Sequence, residues 1–146
     1  MARWTCPRCA REFGRARQSH TCLPGNSVER TFAGRPQEQR AIYDAIMAFV
    51  ATLGPVHADA VQVGVFLKAD RKLAELRPKS KWLSCNVYMP RLINDPRIER
   101  SVRVSAVTVV NEVKLHTVAD VDDQVQAWLT EAFDAATSPA DERDRR

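Results

Sequence analysis

The sequence predicts an α+β fold in which one helix precedes, and another follows, an antiparallel sheet of about four to five strands. Apolar residues recur at helical spacing near residues 36–54 and 120–136, and they alternate with polar residues in the region between. Strands that follow one another between two helices favour an antiparallel sheet, whereas alternating strands and helices favour a doubly wound one. Helices that cover one face of the sheet would leave its other face available to a partner.

The N-terminal segment contains a complete set of ligands for one zinc ion. A Cys-Pro-Arg-Cys motif is followed by His-Thr-Cys, and the candidate ligands are Cys6, Cys9, His20 and Cys22. Zn²⁺ prefers thiolate and imidazole ligands, and a tetrahedral site with four protein ligands has no position left for a catalytic water. We therefore expect one structural zinc ion in a zinc knuckle over residues 1–24.

The alternative interpretations of the first cysteine pair are a disulfide and a thioredoxin-like redox motif. Neither requires the downstream histidine and cysteine, and the pair lacks the βαβ context of a redox motif. So short a segment cannot bury enough apolar surface to fold alone. We therefore expect the metal to supply most of its folding energy, with Trp4 and Phe13 packed around the site.

The first forty residues are also rich in arginine. They contain eight arginines and three glutamates, whereas residues 41–146 contain fourteen basic and fifteen acidic side chains. A cationic arm beside a zinc site favours contacts with phosphate groups. The candidates for such contacts are Arg8, Arg11, Arg15 and Arg17. The alternative is a solvated surface that has no partner.

Turn-forming residues over 25–35 predict a linker between the knuckle and an α+β domain over residues 36–137. Pro36 suits the first turn of a helix, and Gly54 with Pro55 would end it. The predicted buried stripe of this helix consists of Ile42, Ala45, Ile46, Phe49, Val50 and Leu53.

Strict alternation predicts two clear strands. One contains Val61, Val63, Val65 and Leu67, and the other contains Leu83, Cys85, Val87 and Met89. Residues 72–77 predict a weaker strand, and residues 103–118 predict one bent strand or two paired ones after a turn at 94–96. Cys85 is isolated in an apolar strand and is expected to be an inert core thiol.

The closing helix is predicted to begin at Asp120, whose side chain can cap it, with two further aspartates in the first turn. Its predicted buried stripe consists of Val121, Val125, Trp128, Leu129, Ala132 and Ala136. The polar residues 138–146 predict a disordered tail.

A second basic segment falls within the predicted sheet. Its candidate residues for contact with nucleic acid are Lys68, Arg71, Lys72, Lys79, Lys81 and Trp82. If neighbouring strands bring these cations together, they would form a face that follows a phosphate backbone, with the indole available for stacking. The alternative is that their long stems cover a sheet edge and discourage aggregation.

No glycine-rich phosphate loop and no nucleophile elbow is present, and we expect no catalytic residue. Asp95 followed by Glu112 and Lys114 resembles the acidic pattern of Mg²⁺-dependent nucleases, in which a carboxylate holds the metal and an ammonium steadies a water. The alternative is an exposed strand face with an ordinary charge pair. His116 lies near Asp120 and is expected to be a hydrogen-bonded structural histidine, with a ligand role as the alternative.

Several of these motifs together resemble an uncharacterised bacterial family that has an N-terminal zinc knuckle and a C-terminal domain of unknown function of the 5655 type. The resemblance of the head lies in Trp4, Cys6, Pro7, Cys9, Phe13, Gln18, His20 and Cys22. That of the second part lies in Gly54-Pro55, the segment 73–82, Asp95-Pro96-Arg97, His116 and the segment 120–128. The resemblance implies this architecture and no established activity.

The sequence therefore predicts a non-enzymatic, zinc-stabilised module that binds nucleic acid. The second hypothesis is a protein-interaction or small-ligand adaptor that uses the free sheet face with His116 and Trp82, and the third is the Mg²⁺-dependent nuclease. No stretch is long and apolar enough to span a membrane, so no membrane partner is expected. With no export signal and a thiolate metal site, we expect a cytoplasmic setting. The sequence leaves the oligomeric state open.

Overall fold

A computed structural model of the chain describes residues 4–5, 12–14, 27–61 and 63–138. Six strands form an antiparallel sheet in the order β3-β4-β5-β6-β8-β7. They are β3 (His57–Val61), β4 (Gly64–Lys68), β5 (Lys72–Pro78), β6 (Leu83–Met89), β7 (Ile98–Arg103) and β8 (Val109–Leu115). The helices are α1 (Val28–Phe32), α2 (Gln37–Ala51) and α3 (Asp123–Thr137), and a 3₁₀ turn spans Val118–Asp120. A separate two-stranded pair consists of β1 (Trp4–Thr5) and β2 (Glu12–Phe13).

The predicted α+β class, with helices before and after an antiparallel sheet, is confirmed. The predicted number of four to five strands is wrong, because the sheet has six. The alternation from Val61 to Leu67 does not belong to one strand: β3 and β4 form a hairpin in which Val61 pairs with Gly64. The two-residue turn changes the phase of the alternation. Paired residues share a face, so Val61 lies on the face of Gly64 and Val65 points to the other face, although the two valines have the spacing of one strand face in the sequence.

The last part of the sheet also differs from the prediction. Of residues 103–118, Val109–Leu115 form β8, and its partner β7 lies earlier and ends at Arg103. β7 is an edge strand whose side chains are exposed or half-buried, so it lacks the apolar alternation that identifies a strand in a sequence.

Helices α2 and α3 pack on one another, and α3 packs on β5 and β6. The core between them and the sheet is formed by Ile42, Ile46 and Val50 of α2, by Val125, Leu129 and Ala132 of α3, and by Leu83, Cys85, Val87 and Met89 of β6. Cys85 is the expected core thiol: it is free and fully buried. Burial raises the pKa of its thiol to about 12, because no charge nearby compensates the desolvation of the thiolate.

The predicted linker contains the short helix α1. The Ser27 side chain accepts a hydrogen bond from the Arg30 backbone N–H at 3.1 Å and caps it. Phe32 at its end is buried, with its ring centroid 5.2 Å from that of Tyr43 in α2. This segment is therefore attached to the core and does not act as a free spacer at its C-terminal end.

The N-cap of α3 is Asp122, and the prediction of Asp120 is wrong. Asp120 ends the 3₁₀ turn, where its carboxylate accepts hydrogen bonds from the backbone N–H groups of His116 (2.7 Å) and Thr117 (3.1 Å). Asp122 accepts from the Val125 N–H at 3.0 Å. The helix cannot begin earlier, because Val121 has a non-helical conformation with ψ of 68°.

We predict that Asp122→Ala lowers the free energy of unfolding by about 1 kcal/mol at neutral pH, because it removes this cap. The Val125 N–H, together with Arg97, holds the pKa of Asp122 below its usual value. The ionised cap therefore stabilises the fold above a pH of about 4, and its contribution is lost as the pH falls through the lowered pKa.

Urea unfolding at pH 7 and at stepwise lower pH measures this effect. The matched control is Asp123→Ala, because Asp123 is exposed in the same helical turn and does not provide the cap. Equal losses in the two variants, or a loss at Asp122 that does not shrink on acidification, would contradict the assignment of the cap.

Candidate ligand-binding groove on the open sheet face

The face of the sheet that points away from α2 and α3 forms a groove with a volume of about 560 Å³. Its lining residues lie on β5, β6, β7 and β8 and on the loops beside them, and none lies on a helix of the described chain. This follows from the pleat of the sheet. Since Leu83, Cys85 and Val87 of β6 point to the helices, Ser84 and Asn86 between them point to the opposite face. We call this side the open face.

A band of polar residues, which we call the polar belt, crosses the middle of the groove. The strand register places Glu75, Asn86, Glu112 and Arg100 beside one another across four strands. Glu112 is held at both carboxylate oxygens: Ser84 Oγ donates to Oε2 at 2.6 Å, and Arg100 Nε lies 3.4 Å from Oε1. Because both oxygens are engaged, Glu112 is a fixed part of the belt.

Glu75 is held less firmly. Its side chain is only 7 % exposed, and Arg77 Nε lies 3.0 Å from Glu75 Oε2. These two atoms are in ionic contact, yet they are not aligned for a hydrogen bond, and neither has another hydrogen-bond partner in the described chain. Arg77 Nε is therefore in ionic contact with the carboxylate without donating an aligned hydrogen bond to it.

Aromatic and cationic side chains meet at one end of the groove, the basic end, which contains Lys79 and Trp82. Lys114 Nζ lies 4.5 Å from the centre of the Trp82 ring and 3.0 Å from Glu99 Oε2. The indole Nε1 is buried and has no hydrogen-bond partner among the residues described. The His116 ring centre lies 6.2 Å from that of Trp82, beside the groove.

The opposite end of the groove is apolar, and we call it the valine end. Val102 of β7 is paired with Val110 of β8, and Val104 follows in the next loop. Val102 is 45 % exposed and Val104 is 55 % exposed. Exposed valines that line a concave surface are typical of a binding site, because a ligand can remove them from water.

The predicted zinc ligands Cys6, Cys9, His20 and Cys22 lie outside the described residues. The same is true of the predicted phosphate contacts Arg8, Arg11, Arg15 and Arg17. Two of the described elements flank part of this segment: β1 and β2 pair with Trp4 opposite Phe13, and the first cysteine pair lies between them in the sequence.

The second predicted basic segment is divided by the fold. Lys68 Nζ contacts Asp59 Oδ2 at 2.7 Å, and the Asp59 side chain is fully buried. Arg71 donates to the backbone carbonyls of Ala135 and Ser138 at the end of α3. Lys72 lies over the Phe66 ring at 4.1 Å.

Within this segment, Lys79 and Trp82 line the groove. Lys81 lies between them in the sequence and is exposed. The structure therefore brings two of the six candidates into one site. Lys68 and Arg71 have structural roles elsewhere in the fold.

The three residues of the nuclease pattern occupy different surroundings. Glu112 and Lys114 share the open face, as their spacing predicts, and each is paired there. Asp95 contacts Arg97 instead: it accepts from the Arg97 backbone N–H at 2.8 Å. Within the described ranges, no three His, Cys, Asp or Glu side chains are grouped so that they could hold a metal ion.

Sequence reasoning missed most of the polar belt. Ser84 and Asn86 could have been found as the polar phase of the β6 alternation. The contacts of Glu112 with Ser84 and Arg100 could not, because they depend on which strands pair and in which register.

Residues 28–136 match the model of a family described as Domain of unknown function (DUF5655). The match covers more than half of the chain, which therefore belongs to this family. It begins at the first residue of α1 and includes every strand of the large sheet, so the groove lies entirely within it. Neither a search of curated proteins nor a search of solved structures found a match. No helix in the described part of the chain is long and apolar enough to cross a membrane.

We predict that Lys68→Ala lowers the free energy of unfolding by about 1.5–3 kcal/mol, because it removes an ammonium group that contacts the buried carboxylate of Asp59. Lys72→Ala is the matched control, since this neighbouring lysine is exposed and its ring contact is worth about 1 kcal/mol or less. Chemical denaturation of both variants measures the difference. Equal small losses would contradict the structural role of Lys68.

Proposed function

We propose that this chain is a non-enzymatic binding module whose DUF5655 domain takes up a small organic ligand in the groove of the open face. The observation that carries the proposal is the groove itself. Its volume of about 560 Å³ falls within the range of about 300–1,000 Å³ that is usual for small-molecule sites. It also combines an apolar end with convergent polar groups, which is how such sites fix the orientation of a ligand.

The pairing of the polar groups supports binding over catalysis. A general base needs a carboxylate or imidazole that can reach a proton of the substrate. Glu112 is engaged at both oxygens by Ser84 and Arg100, and Glu99 contacts Lys114. Glu112 and Glu99 are fixed in this way, so they can position a ligand and are poorly suited to move a proton. Glu75 contacts Arg77, although its Oε2 has no aligned hydrogen bond among the described residues.

We propose in addition that Cys6, Cys9, His20 and Cys22 hold one structural zinc ion. Two thiolates close together in a turn between two short strands form the first half of many structural zinc sites. The pairing of β1 with β2 supports this, because it closes a hairpin around the segment that contains Cys6 and Cys9.

Nucleic-acid binding is the second candidate function. It is supported by the eight arginines of the first forty residues, since such an excess favours phosphate contacts. Lys79 and Lys81 supply two further cations, because neither forms an ion pair with a described residue. The division of the second basic segment between Asp59, α3 and the groove favours the small-ligand function over this one.

We predict that small organic compounds bind the wild-type protein in the groove and that Val104→Glu abolishes their binding. The substitution places a charge at the valine end and costs little stability, because Val104 is exposed. Ligand-observed NMR with a set of small anionic, cationic and neutral aromatic compounds measures it. Val63→Glu is the matched control, because Val63 is 56 % exposed, lies at the β3–β4 turn and does not line the groove.

Loss of binding in Val104→Glu alone supports the proposed function. Compounds that bind both variants equally would place the site elsewhere. Labelled oligonucleotides serve as the second arm of the experiment. Affinity for them that falls steeply with salt and is unchanged in Val104→Glu would favour the second candidate.

For the metal site, we predict about one zinc ion per chain in protein purified without chelators. The Cys9→Ala variant is expected to lose the metal, whereas Cys85→Ala, which removes the core thiol, is expected to retain it. Elemental analysis measures the zinc content of each variant. Full zinc content in Cys9→Ala, or a content well below one in the wild type, would overturn this assignment.

A further inference from the structure

We propose that the ligand of the groove is an organic anion with an apolar body, bound with its anionic group at Lys79 and its body on the valine end. This inference rests on the proposed function, because it assumes that the groove is the binding site. It adds the charge of the ligand and the orientation of the ligand in the groove.

The charge follows from the pairing of the acidic residues at the groove. All three have a cation close by: Glu75 contacts Arg77, Glu112 contacts Arg100, and Glu99 contacts Lys114. Lys79 also lines the groove, and it forms no ion pair within the described ranges. The acidic groups are thus neutralised locally, and Lys79 is the cation of the groove lining that has no ion-pair partner among the described residues. Charge complementarity therefore favours an anionic ligand.

The direction follows from the strand register. Pro78, the residue before Lys79, pairs with Leu83 at the start of β6, whereas Tyr88 near the end of β6 pairs with Val110. Val110 in turn pairs with Val102. The basic end and the valine end thus lie at opposite ends of the same strands. A rise of about 3.3 Å per residue puts them roughly 15 Å apart. A ligand that fills the groove must accordingly be charged at one end and apolar at the other.

Further donors at the basic end could receive the anionic group together with Lys79. Arg77 Nε and the indole Nε1 of Trp82 are buried, and neither atom has a hydrogen-bond partner among the described residues. Buried donors without a partner carry a free-energy cost, which an acceptor on the ligand would remove. A cationic ligand would gain less, because the carboxylates are already paired.

The test uses two fluorescent dyes with similar aromatic bodies: anilinonaphthalene sulfonate, which is an anion, and phenylnaphthylamine, which is neutral. We expect Lys79→Met to weaken binding of the sulfonate about tenfold, because a hydrogen bond to a charged group is lost. We expect the affinity for the neutral dye to stay within about twofold, because the apolar stem is kept. Lys81→Met is the matched control, since this exposed lysine does not line the groove.

A salt titration of the wild-type protein provides a measurement that needs no variant. Added salt is expected to lower the affinity for the sulfonate and to leave the affinity for the neutral dye unchanged, because salt screens only the charge contact. Circular dichroism of each variant shows that it is folded.

The outcomes separate this inference from the proposed function. If Val104→Glu weakens the binding of both dyes but Lys79→Met changes the affinity for neither, the groove binds ligands and the assigned charge of the ligand is wrong. If Val104→Glu changes neither dye, or if neither dye binds, the groove is not the site, and both proposals fail.

Discussion

The alternation of side chains along β6 is the constraint on which the rest of the structure depends. This strand lies inside the sheet, between β5 and β8, and the helices cover one of its faces. Its apolar residues must point to that side, so its polar residues must point to the other. A slip of one residue would bury Ser84 and Asn86 in the apolar core and expose Leu83, so the core fixes the composition of the open face as well.

The polar belt is a consequence of that constraint. Polar groups on a half-buried face need partners, and the register supplies them from neighbouring strands, as with Ser84 and Glu112. The belt therefore stabilises the sheet, and its acidic groups are paired with cations in the process. Lys79, which has no ion-pair partner among the described residues, and the exposed valines remain for the proposed ligand. The groove thus has one charged end and one apolar end.

The sequence predicts most of the fold and little of the site, for physical reasons. A helix is a local structure, so the periodicity of α2 and α3 is visible in the sequence, as is their burial. Chain reversals are harder to recognise: Val61 and Val65 have the spacing of one strand face in the sequence, yet the β3–β4 turn places them on opposite faces. The choice of Asp122 over Asp120 as the helix cap depends on one residue, Val121, whose conformation no pattern indicates. The groove joins residues far apart in the sequence, so its composition is decided by strand pairing, which the sequence pattern does not specify.

The most direct test of the central claim is a map of the amide and indole NMR signals during titration with anilinonaphthalene sulfonate. Binding on the open face predicts the largest shifts at the Trp82 indole N–H and at the amides of Lys79, Val102 and Val110. The signals of α1 and of the buried side of α3 would stay in place. Shifts confined to the first forty residues, or to the helices, would contradict the account and leave the groove as a structural feature of the sheet.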